Sequence, residues 1–164
     1  MTDDTLENMV VELGRAGHAA HALYVASNLE VSLEDLLALY MPNLSNTLKE
    51  KLFVGYGPLS SFSAKIDIAY ALGLIPASLR RDLHAIRDIR NAFAHTTERL
   101  HFDSLKMTRL LGKFPDYTPS CDRLSFYLSK LESCYAILNP QAENLAIVHV
   151  LRAGSSGRKP SRGK

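Results

Sequence analysis

Ile89-Arg90-Asn91-Ala92-Phe93-Ala94-His95 closes a stretch with the period of an amphipathic helix, and the fold turns on how it is read. Counted at about 100° per residue from Leu79, positions Leu83, Ile86, Arg90 and Phe93 fall in one narrow arc. An arginine therefore stands in the middle of an apolar seam. A buried guanidinium without acceptors is costly, so Arg90 must meet a carboxylate, cap carbonyls or face a cleft that takes an anion. Glu30 and Asp35 are the carboxylates expected as partners. His95 lies well away from Arg90 if the helix runs on. The threonines at 96 and 97 lower helix propensity, however, so a frayed end is expected, from which His95 swings toward Arg90.

Working outward, Ser78 starts this helix and Leu74-Ile75-Pro76 is a tight connector. Before it, Phe62, Ile66, Ala69, Tyr70 and Gly73 form the seam of another helix, with Pro58 in its first turn and Ser60 or Ser61 as its cap. Two helices joined so closely make an antiparallel hairpin. Upstream, Gly55-Tyr56-Gly57-Pro58 is a loop, Asn43 to Lys51 a short polar helix or turn, and Thr5 to Met41 helical, as one helix or as two broken near Gly14 to Gly17. Downstream, a short helix is expected over Asp103 to Leu111, a loop over Phe114 to Ser120, and a helix over Cys121 to Leu138. Pro140 is expected to break that helix before a last segment at Glu143 to Leu151. Only Ile147 to Val150 could pass for a strand, so the fold class is all-α.

At 164 residues and 46% hydrophobic content the chain supports one core. A single helical domain over 1–152 is expected, followed by a disordered basic tail over 153–164 that carries Arg158, Lys159, Arg162 and Lys164. The net charge of +2 becomes −2 without that tail. Nucleic-acid affinity must then come from the tail or from a local patch. No apolar run approaches the roughly 20 residues of a membrane span, and the acidic start lacks the blocks of a signal peptide, so a cytoplasmic protein without membrane contact is expected. Cys121 and Cys134 read as free thiols. His18 and His21 have no third ligand nearby, and the glycine loop lacks the Lys-Ser/Thr of a P-loop, so neither metal nor cofactor is expected.

The segment Phe53 to Ile75, with its Gly55-Tyr56-Gly57-Pro58 turn, followed by Leu83 to His95, resembles the mannitol operon repressor family of bacteria. That family is similar to a branch of the HEPN superfamily of helical bundles, whose Arg-x4-6-His hallmark is matched by Arg90 to His95. The resemblance extends no further than about Phe102. It implies a HEPN-like bundle whose helix hairpin carries the motif, often dimeric, with Arg-His pairs near the interface. Active HEPN members cleave RNA without a metal, whereas the mannitol repressor branch is named for regulation and has no obvious DNA-reading helix-turn-helix.

The metal-free chemistry suits these residues. An imidazole exchanges protons near neutral pH, the RNA 2′-hydroxyl supplies the nucleophile, Arg90 would stabilise the phosphorane, and Asn91 would orient the phosphate or His95. Arg80, His84, Arg87 and Asn91 lie on one stripe that could extend a phosphate-binding surface. Asp82 and Asp88 dilute it, which favours a plain solvated face. Lys65 and Asp67 flank the seam of the helix before the hairpin turn and read as interaction points or, more ordinarily, surface charges, and Tyr70, Tyr127 and Tyr135 read as core or interface aromatics. The leading expectation is a non-enzymatic regulator of transcription, working as a homodimer through a protein partner or a weak RNA or DNA contact. The alternative is a metal-independent HEPN endoribonuclease using Arg90, His95 and Asn91.

Overall fold

A computed structural model describes the backbone of residues 3–95 and 100–155 and the side chains of residues 7–95 and 100–139. Its helices are α1 (Asp3–Tyr40), α2 (Asn46–Phe53), α3 (Phe62–Ala71), α4 (Ala77–His95), α5 (Leu105–Leu111) and α6 (Arg123–Ser155). There is no strand among the described residues. Serine starts three of the helices. The hydroxyls of Ser45, Ser61 and Ser104 accept from the N–H groups of Leu48, Ala64 and Met107 at 3.2, 3.1 and 3.3 Å, satisfying one otherwise unpaired donor each.

Gly73 ends α3. At φ 72° it takes the left-handed conformation that follows a helix C-cap. Its N–H then donates to Tyr70 O and that of Leu74 to Ala69 O, both at 2.9 Å, the paired bonds of a Schellman motif. The chain turns at once into α4. The expected hairpin follows: Asp67 faces Arg80 and His84 while Ser63 faces Arg87, so α3 and α4 are antiparallel.

Of the two courses open to the first helical region, α1 takes the single helix, for Gly14 and Gly17 cost only about 1 kcal/mol each against alanine and do not break it. One expectation about a helix end is corrected. α6 continues through Pro140 to Ser155, taking in the separate last segment expected at Glu143 to Leu151 and the first three residues of the expected tail. A proline removes one N–H from the ladder, and the remaining bonds on either side keep the helix going. The rest of the tail lies outside the described residues. α6 makes the most extensive helix packing in the molecule, against α1.

The core gathers Leu29, Leu33, Leu36 and Leu37 of α1, Ile66 of α3, Leu83, Ile86 and Ile89 of α4, and Tyr127 and Leu131 of α6. α5 closes one side with Met107 and Leu111. Tyr127 is fully buried, whereas Tyr70 and Tyr135 are exposed, so only one of the three seam tyrosines is a core residue. Among the described residues no helix is long and apolar enough to cross a membrane.

The loop before α3 folds back on α2, where Leu59 N–H donates to Leu52 O at 2.8 Å. Gly57 lies against the same backbone: a Cβ there would sit 2.4 Å from Leu52 O. Backbone cannot yield as a side chain does. Gly57→Ala should therefore cost about 2 kcal/mol, within the range of strained substitutions. Urea denaturation checks this, and a midpoint equal to wild type would show that the loop moves freely off α2.

Candidate functional site

Lys65 occupies a core-facing position on α3, three residues after Phe62 and four before Ala69, and is only 5% exposed. Its ammonium lies 3.1 Å from Glu30 Oε1 and 2.9 Å from Glu34 Oε2, carboxylates one turn apart on α1. The second oxygen of Glu30 takes Arg90 at 3.1 Å, and that of Glu34 takes Lys49 at 3.5 Å. Five charges thus alternate as Arg90, Glu30, Lys65, Glu34, Lys49 and tie α1 to α2, α3 and α4. Burial alone would raise the Glu34 carboxyl; the hydrogen bond and charge of Lys65, helped by Lys49, outweigh it and hold Glu34 below its usual range.

Lys65 is therefore not the surface charge its sequence suggests. Of the two carboxylates expected to meet Arg90, Glu30 does so, while Asp35 is exposed and lines a different groove with Leu131 and Tyr135.

Beside this row opens a polar cleft of about 330 Å³ lined by Glu30, Ser60, Ser61, Phe62, Ser63, Arg87, Arg90 and Asn91. The N-terminus of α3 supplies the serines and the last turns of α4 supply the arginines and the amide. Arg87 is fixed from two sides: its Nη1 donates to Ser63 Oγ at 2.7 Å, and its Nε and Nη2 donate to Asp88 Oδ1 at 3.1 and 2.5 Å. Lys113 also pairs with Asp88. The cleft thus offers hydroxyls, a carboxamide and two guanidinium edges, each guanidinium already matched by a carboxylate. Such a surface suits hydrogen bonding to an oxyanion or a polar backbone, without a strong field of its own.

His95 is not among the cleft-lining residues. The expected fraying does not reach Ala94 or His95, which are both helical. Five residues of unbroken helix carry a side chain about 140° around the axis and about 7.5 Å along it. On that geometry the two side chains leave the helix on different faces, and His95 is exposed at the end of α4. Residues 96–99 lie outside the described ones.

The rest of the expected phosphate stripe divides. Arg87 and Asn91 reach the cleft, but Arg80 and His84 converge on Asp67, with Arg80 Nη2 at 2.7 Å and His84 Nε2 at 3.0 Å from Oδ1. Those hydrogen bonds, Arg80's first, lower the Asp67 carboxyl. The Arg80 guanidinium also covers the Tyr70 ring, 5.1 Å from its centroid. Both thiols are free, and burial pushes Cys134 up to about 12, which leaves it without thiolate reactivity. Among the described residues no group of His, Cys, Asp or Glu is arranged to hold a metal.

Sequence reading missed Lys65, Glu34 and the serines as parts of one site. The signal for Lys65 was its place inside the α3 seam; for Glu30 and Glu34 it was their four-residue spacing beside Leu29 and Leu33. No protein-family model, curated protein or solved structure matches the chain.

Removing the Lys65 charge leaves two carboxylates facing each other in a poorly solvated site. Lys65→Met, which keeps the bulk, should cost about 3 kcal/mol in equilibrium denaturation; an unchanged midpoint would mean that the row does not stabilise the bundle. A lowered carboxyl stabilises the fold above its unfolded-state pKa and ceases to do so as pH falls through its folded value. The melting-temperature gap between wild type and Glu34→Gln should hence be constant above about pH 5 and shrink progressively below about pH 4. A gap independent of pH would contradict the pairing.

Proposed function

We propose that this protein is a non-enzymatic bacterial regulator of the mannitol-repressor type, acting in transcriptional regulation through a protein partner or a weak nucleic-acid contact made at the α3/α4 cleft. The observation that carries this reading is the unbroken course of α4 through His95, with Arg90 held on Glu30. General acid-base catalysis needs the imidazole within hydrogen-bond reach of the reacting oxygen that the arginine stabilises. An imidazole a turn and a half away on another face does not meet that requirement. The guanidinium instead has structural work, and its cleft-facing edge is left for binding.

The endoribonuclease reading keeps one observation in its favour: Arg90 and Asn91 both line an open cleft rather than a closed core. A phosphodiester placed there would meet the two side chains that the HEPN resemblance assigns to phosphate stabilisation and positioning. It would need His95 from elsewhere, for instance from a second chain.

Purified wild type and His95→Ala, incubated with mixed RNA in excess chelator, separate the two. No cleavage by either is the expected result. Cleavage by wild type that the variant abolishes, with folding unchanged, would replace the regulator with a metal-independent nuclease, whereas equal cleavage by both would mark a contaminant.

A further inference from the structure

α1 carries carboxylates on two sides, and only one side is neutralised. Glu30 and Glu34 enter the charge row. Asp35 lies about 140° around the helix from Glu30, on a stripe shared with Val25, Asn28, Val31 and Ser32. Between that stripe and α6 runs a groove of about 440 Å³, whose other wall is Leu131, Glu132 and Tyr135. Leu131 is fully buried, while Val31 and Tyr135 stand open at 57 and 43% exposure.

The charges of this groove differ from those of the surface around it. Asp67, Asp88 and Asp116 are each met by a cation. Among the described residues, Asp35 and Glu132 have no hydrogen-bond or ion-pair partner. No cation lies within reach in sequence: residues 16–48 contain no lysine or arginine. The one such residue over 124–139 is Lys130, which turns to Asp116 at 2.5 Å and Asp82 at 3.7 Å.

We propose that the α1/α6 groove docks a basic amphipathic helix of a protein partner, which lays its apolar side chains between Val31 and Tyr135 and sets lysines or arginines beside Asp35 and Glu132. Charge complementarity selects the sign of the guest, since two unmatched carboxylates flank an apolar floor with no cation on either wall. The walls select its backbone. Both are helices whose own N–H and C=O groups are paired, and the Ser32 hydroxyl already donates to Asn28 O at 3.0 Å. An extended segment would therefore bury unpaired backbone groups, whereas a helix satisfies its own. Val25 to Asp35 spans about 15 Å of α1, enough for roughly three turns of such a guest.

Other occupants fit less well. Residues 156–164 are basic but carry no large apolar side chain to fill the groove. A second copy laid groove to groove would bring four unmatched carboxylates together. The groove is separate from the α3/α4 cleft, so the inference does not depend on how that cleft is used.

A synthetic helix of about 15 residues tests it, with leucines on one face, lysines and arginines beside them, and one tryptophan. The protein has no tryptophan, so the peptide's emission reads binding directly. The full chain should bind this peptide with a blue shift, and at least about tenfold more tightly than the same peptide with glutamates in place of its cations. Asp35→Lys and Glu132→Lys, both at exposed positions, should each weaken binding at least about tenfold without changing the melting temperature. Glu50→Lys, the same change of charge at an exposed site on α2, should leave it unchanged. Absence of binding, equal affinity for the acidic peptide, or an equal loss in Glu50→Lys would overturn the proposal. Dissociation of an oligomer as the peptide binds, followed by sedimentation, would overturn it too, by assigning the groove to a second copy.

Discussion

A lysine cannot enter a helical bundle alone, and the need to neutralise Lys65 organises much of this one. Its ammonium requires acceptors, and two carboxylates one helical turn apart on a facing helix can supply them from two sides. Glu30 and Glu34 meet that condition, and in doing so they fix where α3 crosses α1. Each carboxylate then has a second oxygen to satisfy, and Arg90 of α4 and Lys49 of α2 take them. One buried charge thus specifies contacts among four helices, where apolar packing alone would tolerate several registers.

The cleft is a by-product of the same constraint. Because Lys65 is one turn into α3, the capped start of that helix lies beside the charge row, and the antiparallel return of α4 brings Arg87 to Ser63. The serines do double duty. Ser61 satisfies the backbone of α3, and Ser63 holds a guanidinium in place, so the polar lining is ordered before anything binds. Preorganisation of this kind favours recognition, since little conformational entropy is lost on contact.

What the residues disclosed depended on whether the signal was local. Helix class, the hairpin and a serine cap at Ser60 or Ser61 follow from period and capping chemistry, and in the structure Ser61 is the cap. The exposed position of Tyr70 and the burial of Lys65 did not follow, because both residues sit at seam spacing and only tertiary packing tells which edge of the seam is covered. Pro140 misled for the opposite reason. A local rule about proline gave way to the helix's own hydrogen bonds on either side of it. Of the site, the Arg90–Glu30 pair was legible from the cost of burying a guanidinium, while the cleft was not, since its walls come from residues some thirty apart in sequence.

The Arg-x4-His spacing is itself a physical statement, and its meaning depends on where the helix ends. In unbroken helix the two side chains diverge, so the motif assembles a site within one chain only if the backbone departs from helix between them. Here it does not depart before His95. A guanidinium has five N–H donors, and one contact to Glu30 leaves others directed at the cleft. An oxyanion can therefore join Arg90 without displacing Glu30 and without any proton being transferred. On the proposed reading, the motif marks a binding edge that the fold's charge row holds in place, and chemistry would require a second imidazole that this helix does not bring to it.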